Sequence, residues 1–452
     1  MKLTVNRGAY AAYAMTAGIF IAIPWLAYAA DAAADATLNL DQALDEAFKN
    51  SPVVQTSQAA ANEAHWQRLA AMGQGFLPKV SVNLGHYFTE NYQFTQIALG
   101  GSVLAFPGIY PTTQLSLSAS IPIFDGLANI RQLQAAALSE NAAQQEAERV
   151  KFEVAQEVRL AFYQALAATA LDAVAEQNVT TLEDHLRQVD IQRRGGAATN
   201  YDTLRVSVQL SEARADALDA KDNVSLTRKK LIQLLGLEED NRVLAGDLPV
   251  PDSSRVQNLE FTGIPEDRTD IRALDMRADA ADKTRAARNS WMIPSVSLAG
   301  QLIYYNELLD SASGSIVDNQ RYEQAYNFGI FLTWNLFDGG VSYAQSRQAV
   351  YQQVQADSRA RAAKLQVPYD FAYWKKRFVS NTDHYQARKQ DVARSEESVR
   401  LAKEEERAGT RTSTETLDAE LDLFRAKAGV VNAQVNAEEA QLRLELALGR
   451  RI

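Results

Sequence analysis

Thr113-Gln114-Leu115-Ser116-Leu117-Ser118-Ala119-Ser120-Ile121-Pro122-Ile123-Phe124-Asp125-Gly126 decides how this chain is read. Its odd positions are mostly apolar and its even positions mostly polar. That period of two is the signature of a strand with one apolar and one polar face. Its closing Phe124-Asp125-Gly126 recurs as Phe337-Asp338-Gly339, 213 positions later. Gly196 and Leu204 recur as Gly409 and Leu417, and Leu235-Gly236 as Leu448-Gly449, at the same spacing. Upstream, Leu77-Pro78-Lys79-Val80-Ser81-Val82 resembles Ile293-Pro294-Ser295-Val296-Ser297-Leu298 at an offset of 216, so the first copy holds three more residues between its strands. The chain reads as a duplicated unit. Each copy runs helix, strand, loop, strand, long helix, tight turn, helix.

The other strands alternate in the same way. Val80, Val82 and Leu84 interleave with Ser81, Asn83 and Gly85, and Val296, Leu298 and Leu302 with Ser297, Ala299 and Gln301. A fourth run places Tyr326, Phe328, Ile330, Leu332, Trp334 and Leu336 on one face. Each run is about ten residues, the length of a tilted transmembrane strand. Aromatics gather at the strand ends (Tyr87, Phe88, Phe124, Tyr304, Tyr305, Tyr322, Trp334, Phe337), as in an interfacial girdle. The polar face is small and hydroxyl-rich: Ser81, Asn83, Ser116, Ser118, Ser120, Ser297 and Thr333. The competing reading of this pattern is a soluble sandwich with one buried face.

The helical segments are long. No proline or glycine interrupts Ala128 to Arg193, and good helix formers dominate. About 65 residues at 1.5 Å each reach roughly 100 Å. The second copy runs from Ser342 to Ala408 and contains Pro368, which predicts a bend near Val367. After each turn comes a shorter helix with a heptad stripe: Leu417, Leu421, Phe424, Ala428, Val431, Val435, and Leu204, Val208, Ser211, Ala215, Leu218. Such a stripe faces a partner helix. Helices over 52–75 and 199–235 together match the long helix in length, so two stacked end to end can lie alongside it.

The 452 residues are 46% hydrophobic and 23% charged, enough for a sizeable core. There is no cysteine, which excludes disulfides, thiolate metal sites, cysteine nucleophiles and N-terminal lipid attachment. A net charge of −10 argues against nucleic acid as a partner. His65, His86, His185 and His384 are scattered and read as ordinary histidines rather than metal ligands. With no nucleophile–base pair, phosphate loop or metal spacing, an enzyme is not expected, nor is a cofactor. Lys2 and Arg7 precede an uncharged run, Gly8 to Ala30, containing Ala27-Tyr28-Ala29. This reads as a secretory signal peptide over 1–29, with an uncleaved anchor as the alternative. Its removal would move the net charge from −10 to −12. No later run has the continuous apolar length of a transmembrane helix, so a membrane crossing must use strands.

Four strands cannot close a barrel, and open edges in lipid leave backbone groups unsatisfied at several kcal/mol each. The chain must then oligomerise. Two copies supply about eight strands, which side chains would fill; more leave room for water.

At this point the chain resembles the TolC-like outer-membrane efflux proteins. The match rests on Phe76-Leu77-Pro78, on Ile123-Phe124-Asp125-Gly126 and Leu336-Phe337-Asp338-Gly339, on Arg407-Ala408-Gly409-Thr410-Arg411 leading to Glu415-Thr416-Leu417-Asp418-Ala419, and on Leu448-Gly449. The resemblance implies a mostly α chain contributing four strands to a trimeric, twelve-stranded transmembrane β-barrel, continued by a twelve-helix periplasmic α-barrel. It implies a passive exit duct that docks to a periplasmic adaptor protein and an inner-membrane pump, in drug efflux, metal efflux or type I secretion. No Met, His or Cys cluster marks a soft-metal route. The expected divisions are a first repeat over 30–236, an equatorial linker over 237–267 and a second repeat over 268–452. Loops near 93–112 and 308–322 are expected to face outside.

The resemblance also places a gate at the periplasmic tip, around the turns at Gly196 and Gly409. Glu415 and Asp418 match the acidic ring, Arg411 the tip arginine that holds the tunnel shut, and Asp202 its acidic partner. Two departures stand out: Glu415 replaces an aspartate, and Glu406 replaces an aromatic. A purely local reading competes, because Thr412-x-x-Glu415 fits a capping box and Thr199-x-x-Asp202 nearly does. Asp418 reads equally as a solvated-face residue. The rival to the duct as a whole is a periplasmic coiled-coil scaffold without transport activity.

Overall fold

A computed structural model describes residues 37–86, 92–100, 102–109, 113–266, 268–306 and 322–452. The expected signal sequence, Tyr87, Phe88 and residues 308–321 lie outside these. The order is β1 (Thr37–Leu38), α1 (Leu40–Asn50), α2 (Pro52–Phe76), β2 (Lys79–His86), β3 (Tyr92–Leu99), β4 (Ser102–Ile109), β5 (Thr113–Phe124), α3 (Ala128–Arg194) and α4 (Asn200–Leu235). There follow β6 (Val243–Leu244), α5 (Ser254–Gln257), α6 (Thr269–Arg288), β7 (Ser295–Asn306), β8 (Tyr322–Thr333), α7 (Val341–Arg407) and α8 (Ser413–Leu448).

Four strands form one antiparallel sheet in the order β2-β5-β7-β8. The register turns the sequence alternation into two faces. Val82, Leu117, Leu302 and Tyr326 align across the strands, as do Val80, Ala119, Gly300 and Phe328. On the opposite face lie Ser81, Ser118, Gln301 and Asn327, with the Ser81 and Ser118 hydroxyls 2.7 Å apart. The apolar face has no cover among the described residues: Tyr326 is 83% exposed and Leu84 72%. β8 ends at Thr333, so Trp334 and Leu336 lie past the strand they were expected to extend. Trp334 instead donates its indole N–H to the Met292 carbonyl at 3.1 Å. Segment 93–112 is a second correction. Most of it, rather than being loop, is the β3–β4 hairpin, paired from Tyr92–Ile109 to Leu99–Ser102. The two residues between are both glycine, the composition that a two-residue primed turn needs, and Gly100 sits at φ +57°.

The long helices match expectation, at 67 residues each. α7 runs unbroken through Pro368, which is exposed, while Val367 and Phe371 beside it are buried. α2 and α4 both lie along α3. Near one end of α3, Glu140 accepts from Arg68 of α2 at 3.0 Å. Towards the other, Glu183 accepts from Arg214 of α4 at 2.7 Å. α1 is wedged at the middle, where Leu44, Val154, Val158, Phe162 and Leu231 form one core. By length and composition α3 is the one described helix apolar enough to cross a membrane, which the sequence reading did not expect, and 39% of its most apolar window is buried inside the chain. The heptad stripe of α4 faces the other way. Val206, Leu210 and Ala213 are buried against α3, while Leu204, Val208 and Leu218 are more than half exposed.

Two backbone positions stand out. Gly236, at φ +73°, ends α4 against the α1–α2 junction; a Cβ there would lie 2.5 Å from the Asn50 carbonyl oxygen. Leu127 sits at φ +69° where the second copy has Gly340, a conformation costing an L-residue about 1–2 kcal/mol.

The segment after α4 is a strap across the middle of the helices. β6 pairs in parallel with β1, and Ala245 N–H donates to the Leu38 carbonyl at 2.9 Å. Gln434 of α8 donates to the carbonyls of Leu248 and Pro249, and Lys375 of α7 to those of Gln257 and Leu259, at 2.7–2.9 Å. Val256 completes a core with Phe371, Phe378, Leu444 and Leu448. The strap thereby ties the first repeat to the second.

Candidate functional site

The helical end remote from the sheet is built twice by the same rules. α3 stops at Gly195, and Gly196 turns the chain at φ +78°, where its N–H and that of Ala197 cap the carbonyls of Arg193 and Gln192. α7 stops at Ala408, and Gly409 at φ +72° does the same for Glu406, with Thr410 capping Glu405. Positive φ favours glycine because other residues carry a Cβ that crowds the following carbonyl.

The next helix of each pair begins with a capping box. Thr199 Oγ1 accepts from the Asp202 N–H at 3.2 Å, and Asp202 accepts from the Thr199 N–H at 2.9 Å. Thr412 and Glu415 repeat the arrangement at 3.4 and 3.0 Å. Each box satisfies orphan N–H groups. The hydroxyl of Thr199 and then its N–H hold Asp202 below the usual carboxylate range. The N–H of Thr412, followed by its hydroxyl, does so for Glu415. Both acids are anionic at neutral pH, and both are engaged in local caps.

The four charged residues singled out from sequence all lie at this tip. Within the chain they are not paired as the resemblance implies. Arg411 lies 3.4 Å from Glu405 and 4.0 Å from Glu415, not against Asp202. Asp202 instead accepts from Thr414 of the other turn at 3.5 Å. Asp418 accepts from Arg205 at 3.0 Å. Arg205 was not foreseen, yet the repeat marks it: positions 205 and 418 are 213 apart, so equivalent sites of the two copies carry opposite charges and meet. Glu406, where the resemblance implies an aromatic, accepts from Gln192 at 3.2 Å and links the ends of α3 and α7.

A buried polar core lies beneath these turns. His185 (3% exposed) holds the Ser413 hydroxyl at 3.0 Å through Nε2 and faces Glu420 at 3.3 Å through Nδ1. Lys403 reaches the second Glu420 oxygen at 2.8 Å. Burial raises the Glu420 carboxyl, but His185 and Lys403 outweigh it and hold it below its ordinary value. Sequence reading passed over this set because its members are spread across three helices. Among the described residues no group of His, Asp and Glu has the arrangement of a metal site.

A profile of the outer membrane efflux protein family matches residues 43–237 and 265–450. The outer membrane protein TolC of Vibrio cholerae is 22% identical over 256 residues, 56% of this chain and 58% of that relative, so the alignment spans just over half the relative's length. The solved outer membrane protein VceC of Vibrio cholerae superposes with a TM-score of 0.72 at 18% identity, over 91% of this chain and 96% of that one. CusC gives 0.73 at 17% identity over 91% and 92%, and the open state of the Neisseria gonorrhoeae MtrE channel 0.70 at 19% over 91% and 89%. These likenesses establish the fold, and the two matched stretches, which leave out residues 238–264 between them, cover most of the sequence. The chain belongs to the outer membrane efflux protein family, a family of outer-membrane channels rather than enzymes.

Proposed function

We propose that this protein is the outer-membrane exit duct of a tripartite efflux pump or type I secretion system. Three copies join their four-stranded sheets into a twelve-stranded barrel, and their helices continue it as a periplasmic tunnel. The observation that carries the reading is the sheet itself. Among the described residues β2 and β8 each have one unpaired edge, and the face bearing Leu84, Phe328 and Ile330 is open. In lipid each unpaired backbone group costs several kcal/mol. Pairing β8 of one copy with β2 of the next removes both edges at once. The serine-rich face then lines the lumen.

The turns at Gly196 and Gly409 form the periplasmic gate. Glu415 and Asp418 are more than half exposed at their side chains and supply anionic charge to the aperture, which attracts cations and repels anions. Asp202 and Arg411 complete the gate: Arg411 joins one turn to the end of α7, and Asp202 joins the two turns through Thr414. A periplasmic adaptor and an inner-membrane pump are the partners, and the energy for transport comes from the pump.

The test is fractionation followed by planar-bilayer recording of the purified protein. A detergent-stable trimer from the outer membrane with cation-selective conductance supports the proposal. Release of the protein with soluble periplasm supports the scaffold instead.

A further inference from the structure

The geometry points to Glu438 as a proton-operated clasp between the strap and the helical shaft: protonated, it lets the junction close, and ionised, it draws water in and loosens it. The proton is exchanged with solvent, and no other group changes.

Glu438 faces a cavity of about 290 Å³ where the strap, α3, α7 and α8 meet. Its side chain is only 6% exposed. Nearby Glu445 is 2% exposed, and a single guanidinium, that of Arg159, serves both acids. The sharing is unequal. Arg159 lies 2.7 Å from Glu445 and 3.7 Å from Glu438. Gln156 and Gln441 also give their amides to Glu445, at 3.1 and 3.4 Å. Both Glu445 oxygens are thus supplied with donors by the protein. Glu438 accepts no hydrogen bond among the described residues and keeps only a distant share of one cation.

Among the described residues, the other groups facing the cavity do not supply that missing charge. Tyr163 of α3 is pushed up, by burial first and then by the Glu438 charge. The strap contributes Asp252 and α7 contributes Phe378; Ile452 also lines the space. Burial, reinforced by the Glu445 charge and only partly opposed by Arg159, pushes the Glu438 carboxyl up to about 7.

The sign follows. The folded junction binds the proton more tightly than an unfolded carboxyl of 4.5 does. The junction therefore weakens as pH rises from about 4.5 through about 7, and is level above that. The position makes the effect local. Gln434, one turn before Glu438 on α8, holds the strap at Leu248 and Pro249, and Lys375 of α7 holds it at Gln257 and Leu259. Glu438 lies between these ties.

Amide hydrogen exchange of the purified full-length protein in detergent, at pH 5.5, 7 and 8.5 and corrected for the intrinsic rate, tests the clasp. Peptides over 246–259 and the end of α8 should lose roughly tenfold or more in protection from pH 5.5 to 8.5, while peptides over 196–206 hold theirs. Glu438→Gln should keep low-pH protection throughout. Glu445→Gln, which frees Arg159 for Glu438, should move the midpoint to lower pH. Strap protection that ignores pH in the unaltered protein overturns the proposal, as does an unchanged pH dependence in Glu438→Gln or an unmoved midpoint in Glu445→Gln. The exchange experiment does not depend on conduction, so its failure and the failure of the duct reading are separable.

Discussion

Arg159→Met isolates the electrostatics of the helical shaft. Arg159 donates to Glu445 at 2.7 Å and to the Gln156 amide oxygen at 3.0 Å, with its side chain 13% exposed. Methionine matches the stem and removes the charge. Two carboxylates, Glu438 and Glu445, are then buried with no cation within reach of either among the described residues. Stripping one partner from a buried ion pair costs about 3–5 kcal/mol. The amides of Gln156 and Gln441 still reach Glu445, so the loss should sit near ~3 kcal/mol. The assay is urea unfolding of the purified protein in detergent, followed by helical circular dichroism at pH 8. Two further outcomes are specific to a charge effect. Adding Glu445→Gln to Arg159→Met should restore a large part of the loss, because it removes the stranded anion. Lowering the pH to about 5 should also restore part of it, since an unpaired buried carboxylate binds a proton well above its ordinary range. A single variant within about 0.5 kcal/mol of the parent, or a loss that neither Glu445→Gln nor acid relieves, would show that Arg159 does not neutralise the buried acids.

Gly236→Ala should destabilise by more than about 2 kcal/mol, because it adds a clash with the Asn50 carbonyl to the cost of positive φ; Gly409→Ala, with open space around it, should cost only about 1 kcal/mol, and the same unfolding assay compares them. Thr412→Ala should remove about 1 kcal/mol of capping by the same assay. Glu415→Gln with Asp418→Asn should reduce cation selectivity and block by divalent cations in single-channel records, and unchanged selectivity would take both residues out of the constriction. Arg411→Ser should raise leak conductance, and an unchanged leak would remove Arg411 from the gate.

The long helices and the sheet faces were legible because their causes are local. Alternation over Thr113–Phe124 sets a face by geometry alone, and an unbroken run of helix formers sets α3. The capping boxes at Thr199 and Thr412 were legible for the same reason, since both partners lie within one turn. The repeat offset carried more than was taken from it: it already aligned Arg205 with Asp418, whose pairing follows from two equivalent helices meeting side by side. The His185–Glu420–Lys403 core and the Arg159–Glu445–Glu438 cluster were not legible. Their members come from different helices, and burial, which gives a charge its meaning, is a property of packing. The stripe on α4 was read correctly as apolar, but the face that packs on α3 is the neighbouring one with Val206, Leu210 and Ala213, and Leu204, Val208 and Leu218 stay exposed in the single chain. The β3–β4 hairpin was missed because its alternation is short and was absorbed into a glycine- and proline-rich loop.

The proposed duct requires β8 of one copy to pair with β2 of the next. Because the chain has no cysteine, introduced thiols report without background. Ser81→Cys on β2 can be combined in one chain with Gly329→Cys, Phe331→Cys or Thr333→Cys on β8, all on the serine-bearing face. Within a chain these strands are three strand spacings apart, about 14 Å, beyond the ~7 Å that a disulfide spans. Mild oxidation of isolated outer membranes should give, for at least one pair, a covalent ladder ending at the trimer. Only monomer across all three pairs, with the protein recovered in the soluble periplasmic extract, would rule out the β8–β2 seam and the duct with it.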